Sequence, residues 1–281
     1  METIETTAAL LREVADQLKE HKRRQQETGE SFNIFSILDR ERKEESTHCR
    51  LLYELLNSKG SHGKKDAFLK EFFKTVLDKE KRFPGCEKVE VYREYSFSDG
   101  RIDLLVMGEN FCYPIEVKIA ADDQDRQLER YAKFARGRKD YRSGYDRKDF
   151  DFQVYYLTLD GHSPSGKGLG KEDDFHISCI SFEQDILLWL NRCTEITKGH
   201  PNLDVILHQY IRLLEKLTNY WGGDLYMDKI AKLVGSSKEN YESAVAVANV
   251  LAYVREQKIQ AVFQTIEESL KKFGLQGDTI S

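Results

Sequence analysis

The chain is predicted to be an α/β protein whose central elements run in the order α-β-β-β-α-β, and three observations carry that expectation. Helical periodicity occupies the first eighty residues, and a block of short β-rich segments divided by turn residues follows. Helical periodicity then returns after about residue 183. With 281 residues, 40% of them apolar, the chain has enough material for a sizeable core.

Candidate helices lie near 7–25, 43–57 and 65–79. In the second, Leu51, Leu52, Leu55 and Leu56 make one apolar face, which Asn57 and Gly60 bring to a stop. The segments "VEVYREYSF" (89–97), "RIDLLVMG" (101–108) and "FCYPIEVKI" (111–119) are rich in β-branched and aromatic residues. "SDG" and "EN" divide them, so they read as a three-strand meander in which Pro114 suits an edge strand or a strand start. "DDQDRQLERYAKFARG" reads as a helix with Asp122 or Asp123 as N-cap, a stripe of Leu128, Tyr131, Ala132 and Ala135, and Gly137 at its end. "FQVYYLTLDG" (152–161) is a fourth strand and "HISCISF" (176–182) a candidate fifth. The helical remainder holds "FEQDILLWLNRC", "LDVILHQYIRLLEKLTNYW" and the stretch from Lys238 to Phe273, with Trp189, Tyr210 and Trp221 on apolar stripes that read as core. The expected division is residues 1–182 as the core with its N-terminal helices and 183–281 as a helical segment packed on it.

A net charge of −5 leaves no basic field over the whole molecule, so a nucleic-acid partner would be held locally. Basic residues cluster at Arg136 to Lys148 and at Lys22 to Arg24, where a solvated charged face is the plain alternative. The five cysteines (Cys49, Cys86, Cys112, Cys179, Cys193) have no short paired spacing, which argues against a zinc knuckle and a disulfide framework and fits a reducing cytoplasm. The N-terminus lacks a basic stretch followed by an apolar core, so it does not read as a secretion signal. No run approaches the roughly 18 apolar residues that span a bilayer.

Charged residues inside the strands ask for a reason, because a buried charge needs a partner or a task. Alternation puts Ile102, Leu104 and Val106 on one face of the second strand and Arg101, Asp103 and Leu105 on the other. In the third strand Glu116 and Lys118 oppose Ile115, Val117 and Ile119. A tight turn at Glu109 and Asn110 pairs Gly108 with Phe111, and the same register sets Asp103 opposite Glu116, with Cβ atoms roughly 4.5–5.5 Å apart. Facing carboxylates destabilise a sheet unless something positive lies between them. Mg²⁺ suits the place, since it takes one or two protein carboxylates and leaves its other positions to water and substrate phosphate. Lys118 would orient or deprotonate the attacking water, or offset charge growing on the phosphorus. The other reading is a structural ion pair between Lys118 and the two acids. Acid-x-Lys also occurs at Glu20–Lys22, Glu41–Lys43, Asp146–Lys148 and Glu256–Lys258, all in helical or loop sequence. Gln124, Gln127 and Tyr131 share a helix face near the end of the third strand, where Gln127 would bond a water at the metal or a backbone phosphate, or simply face solvent.

"RIDLLV", then "IEVKIAADDQ", then "QLERY" resemble the PD-(D/E)XK nuclease superfamily, with its restriction-endonuclease-like fold, in its bacterial branch. "ESTHCRLLYELLNSKGSH" (Glu45 to His62), "SFEQDILLWLNRC" and "LHQYIRLLEKLT" extend the resemblance over roughly residues 40–220. It implies an α-β-β-β-α-β core with a mixed central sheet, flanked by N- and C-terminal helices. It further implies Asp103 and Glu116 as metal ligands, Lys118 as the catalytic lysine and Gln127 as the supporting polar residue. Glu45 matches the first-helix acid that completes the metal site, with Glu44 or Glu54 as alternatives. Ile102 stands where the motif's proline would be. His48 and His62 match favoured positions and read as helix-packing or loop-fixing residues. The function implied is a Mg²⁺- or Mn²⁺-dependent nuclease hydrolysing nucleic-acid phosphodiesters, DNA foremost. A homodimer is an open option and no membrane partner is expected. The alternative is a catalytically inactive module of this fold that binds nucleic acid or a protein, its charged triad serving as an ion-pair network.

Overall fold

The computed structural model describes residues 2–29, 31–141, 150–169, 176–218 and 225–272. Trp221, Phe273 and the part of the basic cluster from Arg142 to Lys148 lie outside the described residues. The helices and strands follow the chain as α1 (Glu2–Glu27), α2 (Ile34–Ile37), α3 (Arg50–Leu56), α4 (Ala67–Thr75), β1 (Val89–Phe97), β2 (Gly100–Gly108), β3 (Phe111–Val117), α5 (Gln127–Tyr141), β4 (Asp151–Phe152), β5 (Val154–Thr158), α6 (Gly166–Leu169), β6 (Ile177–Ser181), α7 (Leu187–Ile196), α8 (Pro201–Thr218), α9 (Leu225–Val234) and α10 (Lys238–Lys272). π-Helical turns, Glu44–Cys49 and Phe182–Ile186, lead directly into α3 and α7.

By internal packing the chain divides into Phe32–Tyr220 and a second unit made of Met1–Ser31 with Trp221–Ser281. In the second unit α1 packs on α9 and α10, and Thr7 Oγ1 donates to Ser243 Oγ at 3.0 Å. The division expected at residue 182 therefore falls inside the larger unit. The reason is α7 and α8: Trp189, Leu190, Tyr210 and Leu214 are fully buried in one cluster with Leu52, Phe72 and Tyr113. Trp189 Nε1 also donates to Phe68 O at 2.9 Å and its ring meets Phe72 edge-on. Each such side chain contributes about 1.5–3 kcal/mol by leaving water, so these helices are core rather than appendage.

The sheet has the order β1-β2-β3-β5-β6, with β4 beside the start of β3. β1, β2 and β3 form the predicted antiparallel meander, while β5 and β6 run parallel to β3, giving a mixed sheet flanked by helices. One face carries Leu104, Val106, Tyr113, Ile115 and Val117 against α3, α4, α7 and α8. The other carries Leu105, Met107, Cys112, Val154 and Tyr156 against Leu128, Tyr131 and Ala135 of α5. Ile102 departs from the expected alternation and packs in this second cluster. The departure coincides with a local break in the β1–β2 ladder, where Glu94 has a left-handed φ of 52° and neither Glu94 nor Asp103 is paired although the register is kept.

Pro114 sits in a central strand, contrary to the edge position expected, and two features permit it. Lacking an N–H, it must occupy a pair that exchanges no hydrogen bonds, so its nitrogen faces away from Leu105 of β2. That side is where pairing is interrupted: β4 ends at Cys112–Phe152 and β5 resumes at Ile115–Tyr155, with Gln153 between.

Beyond Leu104–Ile115 the two central strands part. β2 stays with β1 as far as Phe97–Gly100, and β3 stays with β5 as far as Val117–Leu157, continued by Lys118 N–H to Leu157 O at 2.8 Å. α5 follows, beginning at Gln127 rather than at an Asp122 or Asp123 cap. Asp123 is instead occupied by the Tyr156 hydroxyl at 2.8 Å and the Ser165 N–H at 2.7 Å. α5 also runs through Gly137, which is exposed and has open space around it.

Candidate active site

The charged residues gather where β2 and β3 separate. The β2–β3 ladder ends at Leu104–Ile115, one step short of the pair expected between Asp103 and Glu116. The next pair due to exchange backbone bonds is Ile102 with Val117, but Asp103 Oδ2 takes the Val117 N–H instead, at 3.0 Å. A side chain thus ends the ladder. Glu116 is 2% exposed, and its carboxylate is held between Lys118 Nζ at 2.9 Å and the Tyr131 hydroxyl at 2.8 Å.

Burial pushes the Glu116 pKa up to about 8, and Asp103 adds to the shift; Lys118 and Tyr131 act against it without cancelling it. Asp103 is raised for the same first reason, burial, with Glu44 and Glu45 adding to it while the Val117 N–H and Lys118 oppose. At Lys118 burial works against the ammonium, yet the pull of Glu116, Asp103 and Glu44 outweighs it and the pKa rises. The site therefore holds buried Glu116 and half-buried Asp103, both with raised pKa, beside an ammonium kept charged by them.

From α5, buried Gln127 donates through Nε2 to the Tyr131 hydroxyl at 3.0 Å, and that hydroxyl also lies 2.5 Å from Arg101 O. Gln127 accordingly reaches Glu116 through Tyr131. Burial and the neighbouring carboxylates hold the Tyr131 phenol far above its ordinary pKa, so it stays a donor. The hydroxyl's role was the part the sequence reading missed, although its i,i+4 spacing from Gln127 was the available signal.

The first-helix acids go to three places. Glu45, half-exposed, is ion-paired with Arg101. Glu54 accepts the Ser61 N–H at 2.5 Å beside an open cleft of about 540 Å³ between α3 and the start of α8. Glu44 Oε1 accepts three successive amides, Ile119, Ala120 and Ala121, at 2.6, 2.7 and 3.0 Å. Nothing local in the sequence announces that clamp, because about 75 residues separate its halves. Among the described residues no group of three or more His, Cys, Asp or Glu side chains is arranged to hold a metal.

His48 and His62 have structural partners. His48 is wholly buried between the Tyr210 hydroxyl at 3.0 Å and Glu41 O at 2.8 Å, and burial lowers its pKa to about 4. His62 bridges Asn57 O at 2.9 Å and the Lys64 N–H at 3.0 Å, which fixes the loop after α3.

Residues 32–212 match the family model of the PD-(D/E)XK nuclease superfamily. The chain belongs to that superfamily. The matched span lies within the larger unit and includes Asp103, Glu116, Lys118 and Gln127. PD-(D/E)XK nucleases generally use divalent metal ions, and the paired acids of this member are hard oxygen donors of the kind such ions take. No curated protein and no solved structure gives a significant match. No helix of this nuclease-family chain, among the described residues, is long and apolar enough to cross a membrane.

Proposed function

We propose that the protein is a Mg²⁺- or Mn²⁺-dependent nuclease that hydrolyses phosphodiester bonds of nucleic acid, DNA foremost. The observation supporting this reading is the convergence of two acids and an ammonium where β2 and β3 part: buried Glu116 pairs with Lys118 at 2.9 Å, and Asp103, whose Oδ2 takes the Val117 N–H, is near enough to raise the Glu116 pKa. The donor set fits a hard dication, since it offers oxygen alone, few protein ligands, and coordination positions left for water and phosphate. Such an ion, when bound, supplies the charge that polarises the phosphodiester and acidifies water.

The remaining work belongs to the chain. Asp103 and Glu116 would hold the ion, and Tyr131 and Lys118 fix the direction of the Glu116 carboxylate. Gln127 orients the Tyr131 hydroxyl. Lys118, kept charged by its neighbours, offsets negative charge that builds on the phosphoryl oxygens and directs the attacking water. Glu45, ion-paired with the exposed Arg101, is the first-helix acid that would complete the metal set, and Arg101 is a cation suited to phosphate.

The test is cleavage of DNA with Mg²⁺ or Mn²⁺, with chelator as control, for the wild type and for Asp103→Asn, Glu116→Gln and Lys118→Met. Each variant is expected to lose activity by about a hundredfold or more while remaining folded. Full activity in chelator, or in all three variants, overturns the reading. A non-catalytic module would show the same DNA affinity with and without Ca²⁺, whereas the nuclease gains affinity from the ion.

A further inference from the structure

We propose that the amides of Ile119, Ala120 and Ala121 form a subsite for a phosphodiester of the strand being cut, and that the Glu44 carboxylate occupies it in the free protein. The inference rests on the nuclease reading of the same site. Three consecutive main-chain N–H groups converging on one oxygen make a receptor for an anion, and a phosphate oxygen meets the same demand as a carboxylate oxygen. The place suits substrate. Along one continuous stretch of backbone the Val117 amide goes to Asp103, the Lys118 amide to β5, and the next three to Glu44. The receptor therefore begins one residue past the catalytic lysine.

Ala120 and Ala121 are exposed, and their methyl side chains leave the amides approachable. Glu44 enters from the π-helical turn before α3, immediately after exposed Arg42 and Lys43 in the chain. Lys118 feels Glu44, so exchanging that carboxylate for a phosphate preserves the local charge balance. While in place, Glu44 competes with nucleic acid for the amides and weakens its binding.

The experiment follows the backbone amide resonances of the full chain during titration with inorganic phosphate, without divalent metal, in the wild type, Glu44→Gln and Glu44→Ala. The amides of residues 119–121 are expected to shift saturably in Glu44→Ala, with affinity about tenfold tighter than in the wild type and with Glu44→Gln between. Should Glu44→Ala not fold, Glu44→Gln decides. Folded variants whose three amides ignore phosphate, or bind it no better than the wild type, overturn the proposal. A dinucleoside monophosphate that shifts the same amides supports an internal phosphodiester as occupant; a response confined to thymidine 5′-monophosphate overturns that assignment for a terminal phosphate. Silent amides alongside metal-dependent cleavage remove the subsite and leave the nuclease. Responsive amides without cleavage do the reverse.

Discussion

At the scale of single residues, Glu116 links electrostatics to measurable behaviour. Burial first, and Asp103 second, raise its pKa to about 8, above the ordinary glutamate value of 4.5. Between those values the folded chain binds more protons here than the unfolded chain, so the stability this group contributes is present at low pH and lost as pH rises through the window. The melting temperature of the metal-free protein is expected to fall from pH 5 to pH 8, and Glu116→Gln to flatten that decline. Mn²⁺ should raise the melting temperature more at pH 8 than at pH 5, because the ligands must be deprotonated to bind it. Tyr131→Phe tests the orienting hydroxyl: activity or metal affinity is expected to drop roughly 10–100-fold, with circular dichroism unchanged. The pairing of Glu116 with Lys118 was legible in the sequence because two charges alternate with apolar residues inside one strand. Glu44 was not, since its bond to three distant amides follows from how a π-helical turn meets the sheet, and no local pattern records it.

At the scale of elements, the meander and the helix after it were read correctly from period and turn chemistry, and the errors share a cause. Asp123 resembles an N-cap locally but is claimed by Tyr156 and Ser165, and Pro114 resembles an edge residue but falls beside the interruption at Gln153. In each case a partner remote in sequence overrode a local preference. α7 provides the sharpest energetic test. Trp189→Ala removes a fully buried ring and the bond to Phe68 O, and is expected to lower stability by about 3–5 kcal/mol in urea unfolding. His48→Ala strands the Tyr210 hydroxyl in the core and is expected to lower it by roughly 2–3 kcal/mol, with little effect on metal binding.

At the scale of the whole molecule, the boundary expected at residue 182 and the packing unit Phe32–Tyr220 make opposite forecasts. A fragment ending at Phe182 loses Trp189, Leu190, Tyr210 and Leu214 from the main cluster and is expected to lack a dispersed amide spectrum, while residues 32–220 are expected to give one. The boundary was hidden from sequence because helical periodicity continues unbroken in kind from α7 to α10, although only α7 and α8 belong to this unit. The parting of β2 and β3 has a consequence of its own. Each acid rides on a tine anchored to a different neighbour, Asp103 through β1 and Glu116 through β5, so the gap between them is governed by side-chain bonds at the crotch and not by the rigid weave behind it. Selection could therefore widen or narrow the grip on an ion one substitution at a time, while the fabric that folds the protein keeps its register.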